Sequence, residues 1–232
     1  MNFYVGTSGY SYKEWKGTFY PPKLPAEQML SYYGTQFKTV EINYTFKRLP
    51  TLSVLRTWAG AVPAGFRFVL KAPELITHRK RLKDVDDILT RFLHTAGQLK
   101  TRLGALLFQL PPNFKKDTPR LGAFLKLLPR KRRVAFEFRH PSWFDEEVFA
   151  LLRGHRAALC IADADDDLAV PFVPTANWGC LRLRRQEYDN KALKKWVKQV
   201  RQQAWQDVFV FFKHEDEGKG PQLAKRFLNL AE

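Results

Sequence analysis

Several acidic and basic side chains close runs that read as strands, and their types suit proton transfer or the holding of an anion. In RVAFEFRHP (133–141) Glu137 and Arg139 alternate with Phe136 and Phe138, and in TVEINY (39–44) Glu41 and Asn43 alternate with Val40 and Ile42. Lys71 lies near the end of RFVLKAP (67–73), and Arg182 lies within GCLRLRR (179–185). Strand side chains alternate between faces, so Glu41 shares a face with Asn43, and Glu137 with Arg139. If those strands are covered on both sides, each charge needs a partner inside. Carboxylates so placed can act as general acid or base, and guanidinium groups can hold phosphate or steady developing negative charge. The expected roles are therefore Glu41 and Glu137 as catalytic groups, with Asn43, Lys71, Arg139, His140 and Arg182 as ligand contacts. The competing reading is an ion-pair network that neutralises itself and braces the strand ends.

Two further groups belong with these. The segment GYSYKEWKGTFYPP (9–22) carries Tyr10, Tyr12, Trp15, Phe19 and Tyr20. Some of these rings should form the loop's own small core, while Tyr10 and Trp15 are expected to face a ligand. His78 and His140 follow strand runs and His214 lies at the end of one, but no HxH or HxxxH spacing occurs, so hydrogen bonding is favoured over metal ligation. No metal ligand is assigned.

The elements that must carry these residues alternate regularly. Strand-like runs occur at 3–8, 39–44, 67–73, 104–111, 133–139, 157–163, 179–185 and 208–215, with helical stripes between most of them. Asp84 is expected to cap the helix carrying Ile88, Leu89 and Phe92. Pro119 suits a first helical turn, Gly154 a helix stop and Pro221 the opening of the last helix. The pattern predicts a single-domain α/β fold over residues 1–232, a TIM-type (β/α)8 barrel of parallel strands with a weak or missing helix after strand six. A doubly wound open sheet is the alternative, but no glycine-rich dinucleotide fingerprint follows any strand. In such a barrel the chemistry gathers at the C-terminal mouth.

Composition sets the outer bounds. The 232 residues are 45% hydrophobic and 14% aromatic, enough for a large core, and no apolar run approaches the roughly 18 residues of a membrane span. Cys160 and Cys180 read as core thiols, and MNFYVGTSGY lacks the pattern of a secretory signal, so a reduced, cytoplasmic protein is expected, with no membrane partner. The net charge of +16 attracts polyanions. Of the basic runs, THRKRLK (77–83) should ring the mouth, making Arg79 and Arg81 the nucleic-acid-binding candidates. PRKRR (129–133) should lie at the opposite end, and Lys191, Lys194, Lys195, Lys198 and Arg201 on a solvated helix face.

The segments GTSGYSYKEWKGTFYP (6–21), FKTVEINYTFKRLP (37–50), LGALLFQLPPNF (103–114) and AFEFRHPSWF (135–144) give the chain a close resemblance to the YecE-like family, domain of unknown function 72. The resemblance implies a TIM barrel and no established reaction. The chain departs from the family pattern at Lys47, where an aromatic is common, at RLRR (182–185) and at FKHE (212–215), which make strand seven's end of the mouth more basic. The leading expectation is a hydrolase-type enzyme acting on a phosphate-bearing ligand, nucleic acid included. The alternatives are a non-catalytic nucleic-acid or anion-binding barrel, and a sugar-directed isomerase or glycosidase using paired carboxylates. The sequence assigns neither a cofactor nor an oligomeric state, nor does it decide whether Lys213, His214 and Glu215 belong to the site.

Overall fold

Apolar β-branched and aromatic runs form the strands, and amphipathic stripes form the helices that cover them. A computed structural model describes residues 1–214 and 216–232. The order is β1 (Asn2–Thr7), α1 (Met29–Gln36), β2 (Thr39–Ile42), α2 (Tyr44–Lys47), α3 (Leu52–Ala61) and β3 (Arg67–Lys71). It continues with α4 (Asp86–Gly97), β4 (Leu103–Gln109), α5 (Thr118–Leu127), β5 (Val134–Glu137), α6 (Glu146–His155) and β6 (Ala158–Asp163). β7 (Trp178–Leu183), α7 (Asn190–Arg201), β8 (Asp207–Phe212) and α8 (Lys219–Ala231) complete it. From β2 to β8 each strand pairs in parallel with its sequence neighbour, and β8 pairs in parallel with β1. This is the expected TIM-type barrel, and no helix separates β6 from β7.

Strand parity divides the apolar residues into two bodies. Val40, Phe68, Phe108, Phe136 and Val210 face the helices, whereas Val69, Leu107, Ala135, Cys160, Cys180, Phe209 and Phe211 fill the barrel interior. The same parity turns Glu41, Lys71, Gln109, Glu137 and Arg182 inward, above that inner layer. Lys213, next in that parity on β8, follows the strand's last residue.

Side-chain caps open four of the eight α-helices among the described residues, α3, α5, α6 and α7. Asp117, Asp145 and Asp189 accept the amides of Arg120 (3.0 Å), Glu147 (2.9 Å) and Ala192 (2.6 Å), opening α5, α6 and α7. Pro119 occupies the first turn of α5 as expected. Two expectations are corrected. Asp84 adopts φ 52° and leaves the cap of α4 to Val85. α6 runs through Gly154 and stops at Arg156, which takes the left-handed conformation (φ 60°, ψ 30°) normally reserved for glycine. Helix α3 was not anticipated; its signals are Thr51, whose hydroxyl accepts from the Val54 amide, and the buried pair Leu55 and Trp58.

The barrel closes through an unusual seam. β1 and β2 share one bridge, Ser8 to Glu41, and the Gly9 amide donates to the Glu41 carbonyl at 2.8 Å. Below it the buried Tyr33 hydroxyl accepts from the Thr7 amide (2.8 Å) and donates to the Thr39 carbonyl (3.1 Å), standing in for a rung of the ladder. Gly6 permits the approach, since a Cβ there would lie 2.2 Å from the Thr39 oxygen. Tyr33→Phe keeps the ring but leaves a buried amide and carbonyl unpaired. A loss of about 1–3 kcal/mol is expected in urea denaturation; an unchanged midpoint would show that the hydroxyl does not bridge the strands.

Where the helix after β6 is absent, a side chain serves the backbone. The Thr175 hydroxyl accepts from the Leu159 amide and donates to the Ala157 carbonyl, both at 2.7 Å, just before β6 begins to pair with β7 at Cys160.

Candidate functional site

Arg182 organises the mouth. Its Nε and Nη2 donate to the two carboxylate oxygens of Glu41, each at 2.8 Å, while Nη1 donates to Glu137 Oε2 at 2.6 Å. The other oxygen of Glu137 accepts from Gln109 Nε2 at 2.8 Å and from Arg139 Nε at 3.2 Å, and Arg184 Nη2 lies 3.4 Å from it. All four carboxylate oxygens of the two acids are therefore engaged. Glu41 and Glu137 are fully buried, as is Arg182, whose side chain is 2% exposed. Fork-to-fork geometry of this kind supplies partners that burial would otherwise remove. Burial alone would raise the Glu137 carboxyl, but Arg182, Arg184 and Arg139 together hold it well below the usual carboxylate range.

Toward solvent the balance of charge changes. Arg139, with its side chain 31% exposed, and Arg184, 14% exposed, each reach Glu137 along one edge only. The Nε of Arg184 is buried without a hydrogen-bond partner. Lys71 is half-buried at the end of β3, with its Nζ 3.9 Å from the centroid of the Phe46 ring. No ion pair of Lys71 occurs among the described residues. Burial pushes its amine down to about 8, the nearby Arg182 reinforces the shift, and Glu41 and Glu137 oppose it. His78 stands edge-on to the same Phe46 ring at 5.0 Å, with Nδ1 2.8 Å from the Thr77 hydroxyl. Burial and then Lys71 hold it below the ordinary imidazole value.

The remaining candidates are dispersed. Asn43 is half-buried at the start of α2, and its side chain caps nothing. His140 Nδ1 accepts from the Ser142 amide at 3.2 Å, which leaves the ring proton on Nε2. Tyr10 is half-buried, 6.3 Å from the Tyr33 ring, and burial raises its phenol. The expectation that Trp15 faces a ligand is corrected: it is 0% exposed, packed among Tyr12 (4.7 Å), Phe19 (5.8 Å) and Tyr20 (6.1 Å) as the loop's own core. Arg79 is exposed and paired with Glu74 at 3.3 Å, and Glu74 also takes Lys47. Arg81 lies over Phe114 at 5.8 Å. At the other end of the barrel Arg133 pairs with Asp207, the first residue of β8, which places PRKRR away from the mouth as expected.

After β8, His214 Nε2 donates to the Arg185 carbonyl, and Glu215 lies outside the described residues. Among the described residues no three His, Cys, Asp or Glu side chains converge as a metal site. Sequence reasoning gave Phe46 no role, and Gln109 and Arg184 no assigned one. Parity marks the last two as inward, but the ring beneath Lys71 comes from a helix turn that periodicity did not reveal.

A family model described as "Protein of unknown function DUF72" matches residues 4–232. The UPF0759 protein YecE of Escherichia coli (strain K12) is 37% identical over 128 residues, 54% of this chain and 47% of YecE, so that match spans about half the relative's length. The UPF0759 protein YunF of Bacillus subtilis (strain 168) is 25% identical over 273 aligned positions, covering 98% of this chain and 94% of YunF. The crystal structure of a DUF72 family protein from Thermotoga maritima MSB8 superposes with a TM-score of 0.83 at 26% identity, over 99% of this chain and 100% of that one. A DUF72 family protein from Enterococcus faecalis V583 shares the fold at a TM-score of 0.84 and 19% identity, over 99% and 95% of the two chains. The chain is a parallel (β/α)8 barrel with a charged C-terminal mouth. It belongs to the DUF72 family, the family of YecE and YunF. Among the described residues no helix is long and apolar enough to cross a membrane.

Proposed function

We propose that the mouth binds a phosphate-bearing anion, with Arg139, Arg184 and Lys71 as the contacts and Arg182 as their scaffold. One observation carries this reading. Four cations (Lys71, Arg139, Arg182 and Arg184) meet two carboxylates (Glu41 and Glu137) whose oxygens are already taken, leaving a formal excess of 4 − 2 = +2. A buried guanidinium nitrogen without a partner gives that excess a direction. An oxyanion at the mouth would complete the hydrogen bonding of Arg139 and Arg184.

Hydrolysis of such a ligand needs a group that exchanges protons near neutral pH. Lys71, at about 8, has that property, whereas burial and Lys71 hold His78 below the ordinary imidazole value and Glu137 is held ionised. The hydrolase reading therefore assigns acid–base work to Lys71, with the carboxylates holding Arg182. Using Glu41 and Glu137 as a free pair on a neutral sugar is disfavoured because one guanidinium already binds both.

The test is fluorescence anisotropy of a labelled oligonucleotide, with pyrophosphate as competitor, over a salt series. Arg139→Met and Arg184→Met are each expected to weaken pyrophosphate competition about tenfold, the usual size of one lost charge-assisted contact. Arg79→Ala with Arg81→Ala should flatten the oligonucleotide's salt slope by up to about two units, and Lys131→Ala with Arg132→Ala should not. Pyrophosphate affinity indifferent to Arg139 and Arg184 would remove the anion site. Equal salt effects for the two double variants would mean diffuse attraction to a basic surface.

A further inference from the structure

Lys71 is the one member of the mouth cluster for which the charge network makes no provision. Arg182 takes both oxygens of Glu41 and one of Glu137, and Gln109, Arg139 and Arg184 gather on the last. What remains for the amine is the face of Phe46 at 3.9 Å, which is a weak substitute for a counter-ion. A half-buried lysine with guanidinium neighbours and no carboxylate of its own gives up its proton readily and becomes a nucleophile. We infer that Lys71 forms an imine with an anionic carbonyl compound, one bearing a carboxylate or phosphate beside its aldehyde or ketone. This inference rests on the anion-binding reading above, which supplies Arg139 and Arg184 to hold the charged end.

The chemistry balances without a further reagent. The neutral Nζ lone pair attacks the carbonyl carbon, the carbon–oxygen π pair moves to oxygen, and a proton passes from the now cationic nitrogen to that oxygen, giving a neutral carbinolamine whose nitrogen has its lone pair back. Nitrogen's lone pair then expels the hydroxyl, after its protonation, as water, leaving a protonated imine. Per turnover one amine, one carbonyl and one proton give one iminium and one water. His78, edge-on to the same Phe46 ring, is the neighbouring group able to hand over and recover that proton. The amine's value of about 8 leaves a substantial neutral fraction at neutral pH.

The experiment treats the whole wild-type protein with glyoxylate and sodium cyanoborohydride, which reduces an iminium to a stable secondary amine, and locates the adducts by peptide mapping. At pH 8 an amine near 8 is about half neutral while an ordinary lysine is almost wholly protonated. Allowing for lower intrinsic reactivity, Lys71 should label about tenfold faster than the exposed lysines. Propionaldehyde, which carries no charge, should label Lys71 more slowly than glyoxylate, and Arg139→Met should abolish that preference. Labelling of Lys71 no faster than of Lys191 or Lys194 would overturn the inference, and it needs no variant to fold. Fast labelling of Lys71 by both aldehydes, indifferent to Arg139, would uphold the nucleophile and remove the anion site instead.

Discussion

Arg182→Met is expected to cost about 3–5 kcal/mol in urea denaturation at pH 7, because it strands the buried carboxylate of Glu41 and strips that of Glu137 of its shortest ion pair. Gln109, Arg139 and Arg184 would still reach one oxygen of Glu137, but Glu41 would lose both hydrogen bonds from Arg182, its one ionic partner among the described residues. Adding Glu41→Gln and Glu137→Gln to the same chain removes the uncompensated charges and should recover most of the loss, since a whole buried network can be neutralised more cheaply than it can be broken. The acid limb gives a second signature. Glu137 is depressed in the folded state, so its contribution is complete above the ordinary carboxyl value of 4.5 and is lost as pH falls through its folded value. In Arg182→Met the folded value rises toward the ordinary one, so that contribution should be smaller and its loss complete at a higher pH. A cost below about 1 kcal/mol would mean that Arg182 braces nothing and that the two acids are free for other work.

Lys71→Met should act in the opposite direction, raising stability at pH 7 by roughly 2–3 kcal/mol. The unfolded lysine keeps its proton to about 10.5, while the folded one gives it up at about 8. Between those values the unfolded state binds more protons, so wild-type stability climbs with pH there and the penalty is complete below 8. Methionine fills similar space on Phe46 and carries no charge. The gain over wild type should therefore be full at pH 7 and fade toward pH 10.5. Denaturation midpoints of both proteins from pH 7 to 10.5 check this, and a variant less stable than wild type at pH 7 would show that the amine has a counter-ion. A side chain that weakens the fold in this way fits a site retained for chemistry.

Much of this was legible in the chain. Alternation of strand and helix gives the barrel, and parity within TVEINY, RFVLKAP and RVAFEFR turns Glu41, Lys71 and Glu137 to one interior because a closed barrel has only one. Pairing is another matter. The partners of Arg182 lie 141 and 45 residues away, and no local pattern tells a guanidinium that braces two acids from one that awaits a ligand. Parity alone gave Arg139 and Arg182 the same role; exposure separates them. Trp15 was misjudged because a loop rich in rings can turn them outward or inward, and the choice depends on Tyr33 and Phe37 from α1 and its end, against which Phe19 packs. Asp84 and Arg156 both occupy left-handed backbone that their residue types do not advertise.

The closing seam has a consequence for how the chain reaches this state. β1 precedes the other strands of the barrel and pairs over its full length with β8, which follows them, across 205 residues, while β2 offers it one bridge and the Tyr33 hydroxyl of α1 stands between the two. Chain entropy makes such a closure late, because the loop must shrink before any contact rewards it. During synthesis NFYVGT waits with both edges nearly bare until DVFVFF has emerged, and bare strand edges are where chains stick to one another. The topology therefore predicts assembly through an open, curling sheet from β2 to β8, with β1 the stave driven in last.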